Sequence, residues 1–202
     1  MTKENNTGIT FSKTDSNVIV ENNGERIGVI AAPSAIAITE AQMQLLHSAQ
    51  SDLHAVIANA QDVNMQDWEV LEYLKFLFFV ELGELANEVE FFKYWKINKR
   101  NDCENQLKEL ADCIHVLLGV CDVAGYQKVI KGVSAFPMWE DADYLDMFLL
   151  LKRIDLQTFS DVTMAFSLVL GIGLKLGYSI SDMIEAYYTK NQENLQRQAD
   201  GY

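Results

Sequence analysis

The chain reads as an all-α protein, a helical bundle of five to six helices with a short N-terminal β-hairpin or flexible arm. Three observations lead there. From Ile38 onward, apolar residues recur at helical rather than alternating spacing. Helix-start signals stand in front of several of these stretches. The length, 202 residues, fits one domain with a sizeable core, and the composition is that of an ordinary globular protein.

Residues 1–37 differ from the rest. Asn17-Val-Ile-Val and Arg26-Ile-Gly-Val-Ile flank Glu21-Asn-Asn-Gly24, and two β-rich runs around Asn-Gly signal a hairpin. Ala31-Ala-Pro33-Ser then reads as a linker into a domain spanning 38–202. Thr39 and Gln42 form a capping box for the first helix, whose stripe is Leu45, Leu46, Ala49, Leu53, Val56 and Ile57. A break at Asp62–Gln66 precedes a long helix from about Asp67. Asn101-Asp-Cys-Glu104 resembles a capping box and opens the next helix. Gly125 to Ala142 is irregular, followed by a short helix at 142–152. Asp155 to Lys175 reads as helical, closed by Gly177 as the C-terminal cap. Ser179-Ile-Ser-Asp182 caps the last helix.

Net charge is −13, which disfavours binding to long nucleic acid because that needs a basic face. Cys103, Cys113 and Cys121 lack zinc spacing and are too few for a disulfide scaffold. Reduced, buried thiols suit a cytoplasmic location. The polar N-terminus has no signal-peptide core, and the apolar stretch near Met164–Leu174 is too short to span a bilayer, so no membrane association is expected.

The chemistry centres on two acidic pairs, Glu81-Leu-Gly-Glu84 and Glu109-Leu-Ala-Asp112, with 24 residues between Glu84 and Glu109. Positions i and i+3 share a helix face. On an antiparallel helix hairpin the two pairs meet if they lie equally far from the turn. That condition predicts that the first helix ends near Lys93–Trp95, with Trp95 and Lys96 in the connection. Four carboxylates among apolar neighbours repel one another unless something neutralises them, and an all-oxygen shell suits a hard cation such as Mg²⁺. A solvated acidic face is the plainer alternative. Lys190, Asn194 and Arg197 fall at i, i+4 and i+7 on the last helix. They serve the helix macrodipole, or they grip phosphate oxygens that a metal leaves free.

Taken together, the acidic pairs, Phe91-Phe-Lys-Tyr-Trp95-Lys96, Asp112-Cys-Ile-His115 and the ending Lys190-Asn-Gln-Glu-Asn194-Leu-Gln-Arg197-Gln198-Ala-Asp-Gly201-Tyr202 resemble the dimeric, all-α dUTPases of phage and bacterial type. Those enzymes belong to the all-α NTP pyrophosphatase superfamily, which includes the MazG-related proteins. The likeness covers roughly residues 38–202.

The resemblance implies Mg²⁺-dependent hydrolysis of dUTP to dUMP and pyrophosphate, and leaves open whether dUDP is also cleaved. It implies Glu81, Glu84, Glu109 and Asp112 as metal ligands, and Glu81 as the group that deprotonates the attacking water. Lys190 and Arg197 match phosphate-binding positions, with Lys96 as an addition. Gln50, Trp95, His115 and Asn194 match positions around the base and nucleoside. It further implies a homodimer, and phage relatives leave room for a regulatory protein partner. His54 departs from the Asn or Asp expected there, Glu88 and Glu90 carry no role, and His47 is expected at the surface. Three rivals stand beside this reading. One is a related pyrophosphatase acting on dCTP or another non-uracil nucleotide. A second is a di-iron bundle, disfavoured because only Asp112-Cys-Ile-His115 has a histidine at the required spacing. The third is a helical regulatory or interaction protein on the same fold.

Overall fold

The computed structural model describes the backbone of residues 9–14, 17–22, 25–31, 36–60 and 65–201, and side chains within 36–59 and 65–201. Strands β1 (Ile9–Thr14), β2 (Asn17–Asn22) and β3 (Glu25–Ala31) form an antiparallel sheet in that order. The expected hairpin is the β2–β3 pair, with Asn22 opposite Glu25 and a register shift at Val20/Glu21. Its Asn-Gly turn and the linker at 32–35 lie outside the described residues, and β1 adds a strand the pattern did not announce.

Six helices follow among the described residues: α1 (Glu40–Ala60), α2 (Asp67–Val89), α3 (Cys103–Val123), α4 (Tyr144–Arg153), α5 (Phe159–Lys175) and α6 (Ile180–Ala199). Their starts obey local chemistry. Thr39 and Gln42 exchange the capping hydrogen bonds of α1. Thr158 with Asp161, and Ser179 with Asp182, do the same for α5 and α6. Two starts move from expectation. Asp102 rather than Asn101 caps α3, its carboxylate accepting from the Asn105 N–H at 3.2 Å. And α5 begins at Phe159 rather than Asp155, because the Thr158/Asp161 box offers better-satisfied donors than the residues upstream. Gly177 turns the chain after α5 at φ +96°, a conformation in which a side chain would be strained.

Helix α3 is the axis. Gln106 and every residue from Glu109 to Cys121 are buried. Helices α1, α2, α5 and α6 all pack on it. The core joins Leu110, Ile114, Leu117 and Leu118 of α3 to Met43 and Leu46 of α1, Phe78 and Leu85 of α2, Phe166 of α5 and Tyr187 of α6. A two-stranded pair, β4 (Ala37–Ile38) with β5 (Val133–Ser134), ties the entry of α1 to the segment after α3. It is so close that a Cβ on Gly132 would stand 2.9 Å from the Ile38 carbonyl oxygen. No single helix among the described residues is long and apolar enough to cross a membrane.

Helix α2 corrects two expectations. It ends at Val89, not near Lys93–Trp95, and the αL residue that stops it is Glu90. And although its sequence is apolar on most sides, it buries only Lys75, Phe78, Leu82, Leu85 and Val89. Leu77, Phe79 and Val80, which the sequence suggested as core neighbours of the first acidic pair, face outward with Trp68, Tyr73 and Phe76.

A candidate metal centre between two helices

The early stop of α2 places the acidic pairs at matching heights. Glu81 lies nine residues before Glu90, and Glu109 lies seven after Asp102, so each pair is about two turns from the connection. Carboxylate oxygens of Glu81, Glu109 and Asp112 all lie within 4.8 Å of one another. Glu109 and Asp112 are buried, Glu81 half-buried. Glu84 is exposed and stands outside this trio, yet near enough that its charge acts on Glu81.

The electrostatics follow from that crowding. Partial burial, then the negative charges of Asp112, Glu84 and Glu109, push the Glu81 carboxyl up to about 7. Burial also raises Asp112, opposed by the lysine ammonium against it. Lys190 on α6 donates to Asp112 Oδ2 at 2.6 Å. Lys108, which sequence reasoning passed over, donates to Glu109 Oε1 at 3.2 Å. A lysine beside a helical glutamate reads as an ordinary surface residue. Both lysines line a cavity of about 400 Å³ between α3 and α6. Glu109 Oε2 is buried and has no hydrogen-bond partner. An unpaired anionic oxygen beside two more carboxylates is the donor set a hard divalent cation takes.

Next to the cluster is a polar network in the core. Gln50 of α1 and His115 of α3 are both buried. His115 Nδ1 meets Gln50 Oε1 at 3.0 Å, and its Nε2 lies 3.3 Å from the Tyr187 carbonyl oxygen. The Tyr187 ring stacks on the imidazole with centroids 4.2 Å apart, and its hydroxyl donates to Gln50 Oε1 at 3.1 Å. Burial lowers His115 to about 3, so it is neutral at pH 7.

The other expected residues are dispersed. Trp95 is exposed on the α2–α3 connection against Tyr94. Lys96 does not reach the carboxylate trio; it donates to Glu90 at 2.8 and 2.6 Å. Asn194 is half-buried and Arg197 exposed on α6, one and two turns beyond Lys190. His47, expected at the surface, is buried with Nε2 3.2 Å from the Ile130 carbonyl oxygen. His54 pairs with Asp122, 2.7 Å away, near the opposite end of α3 from the acidic pair. Cys113 and Cys121 are free and buried as expected, whereas Cys103 is free and exposed.

A family model described as dUTPase matches residues 42–202. No curated protein matches the chain.

Proposed function

The chain belongs to the all-α dUTPase family, whose members are dUTP diphosphatases, and from this we propose that it hydrolyses dUTP to dUMP and pyrophosphate at the Glu81–Glu109–Asp112 cluster. The convergence of these carboxylates, with Lys190 against one of them, is the observation that carries the reading. The same oxygens would hold Mg²⁺, with Glu84 as the fourth ligand. The unpartnered Glu109 Oε2 and the mutual repulsion of the trio both favour a cation there. When bound, such an ion neutralises phosphate charge and lowers the pKa of a coordinated water.

The protein's own groups then have distinct tasks. Glu81, the half-buried member of the trio, takes the proton of the attacking water. Lys190 stabilises the charge that grows on the phosphates, and Lys108 stands beside the same cavity to do likewise. Arg197 continues this basic stripe along α6. Asn194 presents donors and acceptors toward the nucleoside, Trp95 offers a ring for stacking, and neutral His115, bonded through its two nitrogens to Gln50 and the Tyr187 carbonyl, holds Gln50 in place beside the site. A site built on hydrogen bonds to one base rejects another strongly, because the wrong base leaves buried polar groups unpaired.

The outward face of α2 supports a homodimer. Trp68, Tyr73, Phe76, Leu77, Phe79 and Val80 expose an apolar face, interrupted by Glu72. At 150–250 Å² per aromatic side chain, the face amounts to roughly 600 Å², close to the ~800 Å² each partner contributes to a standard interface. The three free thiols fit a reducing, cytoplasmic setting.

The test is pyrophosphate release from dUTP, dCTP, dTTP and dATP with Mg²⁺, beside a Glu81→Gln control. Release from dUTP alone, lost in the control, is expected. Release from another nucleotide would keep the carboxylate site and overturn the base assignment. No release would leave a helical interaction protein.

A further inference from the structure

His115 stands between two oxygen positions, and a neutral imidazole has one hydrogen to give. Its Nδ1 is 3.0 Å from Gln50 Oε1, and its Nε2 is 3.3 Å from the Tyr187 carbonyl oxygen. A second proton would satisfy both contacts. Burial opposes it, and so does the Lys190 ammonium nearby. With a single proton, whichever nitrogen lacks it turns a lone pair toward an oxygen lone pair in the core. The Tyr187 carbonyl is part of the α6 main chain and cannot turn. The Gln50 amide can: half a turn about its Cγ–Cδ bond exchanges nitrogen and oxygen without moving the rest of the side chain.

With the amide turned, each polar group of the cluster finds a complement. His115 Nε2–H donates to the Tyr187 carbonyl, and the Gln50 NH₂ gives one hydrogen to His115 Nδ1. Its other hydrogen goes to the Tyr187 hydroxyl oxygen, 3.1 Å away. That hydroxyl donates in turn to the Leu46 carbonyl at 3.4 Å and takes a second donor, Asn191 Nδ2, at 3.5 Å. Both amide hydrogens are then used inside the protein. The amide position of Gln50 that has no partner among the described residues is left to the oxygen. The cluster also borders the carboxylate centre. His115 lies one turn along α3 from Asp112, and Tyr187 lies three residues before Lys190, whose ammonium holds Asp112.

We infer that His115 is fixed as its Nε2–H tautomer, and that His115 and Tyr187 together make Gln50 an acceptor for a ring N–H of the base. The inference rests on the dUTP reading for its ligand and deepens it. Uracil carries an N–H at N3. Cytosine has a bare nitrogen there, whose lone pair would meet the amide oxygen, so the contact separates the two pyrimidines. Thymine shares the N–H and is not separated by it. Tyr187 is a positioning residue: its hydroxyl holds the sense of the amide.

The tautomer is read by ¹⁵N–¹H correlation of the histidine rings in the full-length protein without ligand, with His115→Gln to assign the signals. At pH 7 the His115 proton is expected on Nε2, with Nδ1 bare. In Gln50→Glu, whose carboxylate only accepts, a proton should appear on Nδ1. A wild-type proton on Nδ1, or a ring pattern that Gln50→Glu leaves unchanged, would overturn the inference whether or not dUTP is hydrolysed. The ligand is read from kinetics. Tyr187→Phe keeps the stacked ring and removes the hydroxyl, so its preference for dUTP over dCTP in kcat/KM should fall about tenfold, through KM more than kcat. An unchanged preference would overturn the role of Tyr187, and so would an equal loss on both nucleotides with a lowered melting temperature, which would leave it a core residue. If the unmodified protein released no pyrophosphate from dUTP, the functional reading would fail and the base contact with it, while the ring signals would still decide the tautomer.

Discussion

Replacing Glu81 by glutamine separates stability from activity. The glutamate is partly buried and sits in a field of like charges, and the two together raise its proton affinity, a cost that the metal-free fold bears at neutral pH. Glutamine removes that cost, so the variant without metal should be more stable by about 1 kcal/mol, the gain being reduced by solvent at a half-exposed site. Turnover should fall by ~10²–10⁴, the usual scale for a lost general base. A melt in EDTA beside a pyrophosphate assay reads both. A higher melting temperature with full activity would remove Glu81 from the mechanism. His115 sets a pH limit from the other side. Unfolded, its ring takes a proton near 6.5; folded, only near about 3. The unfolded chain binds more protons in that window. Stability present above pH 6.5 is therefore lost as pH falls toward 3, by up to ~1.4 kcal/mol per pH unit. Urea midpoints at pH 7 and 5 should show this loss, and His115→Gln should flatten it.

The connection after α2 has its own acid response. Lysine ammonium groups and an N–H hold the Glu90 carboxyl down at about 2, against a usual 4.5. Its contribution is present above pH 4.5 and lost as pH falls from there toward 2. Pepsin, which is active at these pH values, should cleave at Phe91, Phe92, Tyr94 and Trp95 faster over that range, and Glu90→Gln should be cut quickly at every pH within it. At β4–β5 the obstacle to an added methyl is a backbone carbonyl, which cannot rotate away. Gly132→Ala should cost ~1–3 kcal/mol by thermal melting. Two helix starts could be read from local caps, Thr39 with Gln42 and Ser179 with Asp182, whereas α3 and α5 begin one and four residues later than their sequence signals suggest although their caps are just as local. The end of α2 could not, because nothing in Glu90 itself favours αL. Its partners are Lys96 and Arg100, and their contact is visible only after folding. The acidic pairs share that division. Periodicity put Glu81 with Glu84 and Glu109 with Asp112; the packing of α6 decided that Lys190 stands against Asp112.

For the assembled protein, the apolar flank of α2 predicts self-association. Phe76 is 72% exposed, so Phe76→Glu should leave the fold intact and shift sedimentation to the monomer. An unchanged sedimentation coefficient would place the interface elsewhere. The folding pattern of α2 shows why sequence could not make the distinction: a helix that is apolar on most sides is buried either by its own chain or by a neighbour, and hydropathy is the same in both cases.

The burial of α3 has a consequence for how the centre moves. Glu109 and Asp112 are carried by a helix closed in on nearly every side, while Glu81 and Glu84 ride on one with a solvent-facing flank. In the monomeric Phe76→Glu protein, amide hydrogens of α3 should exchange only through global unfolding, and those of α2 through smaller openings. The centre then works as a fixed jaw and a movable one. A divalent cation bridging the two should slow exchange along α2 around Glu81 and leave α3 almost as it was.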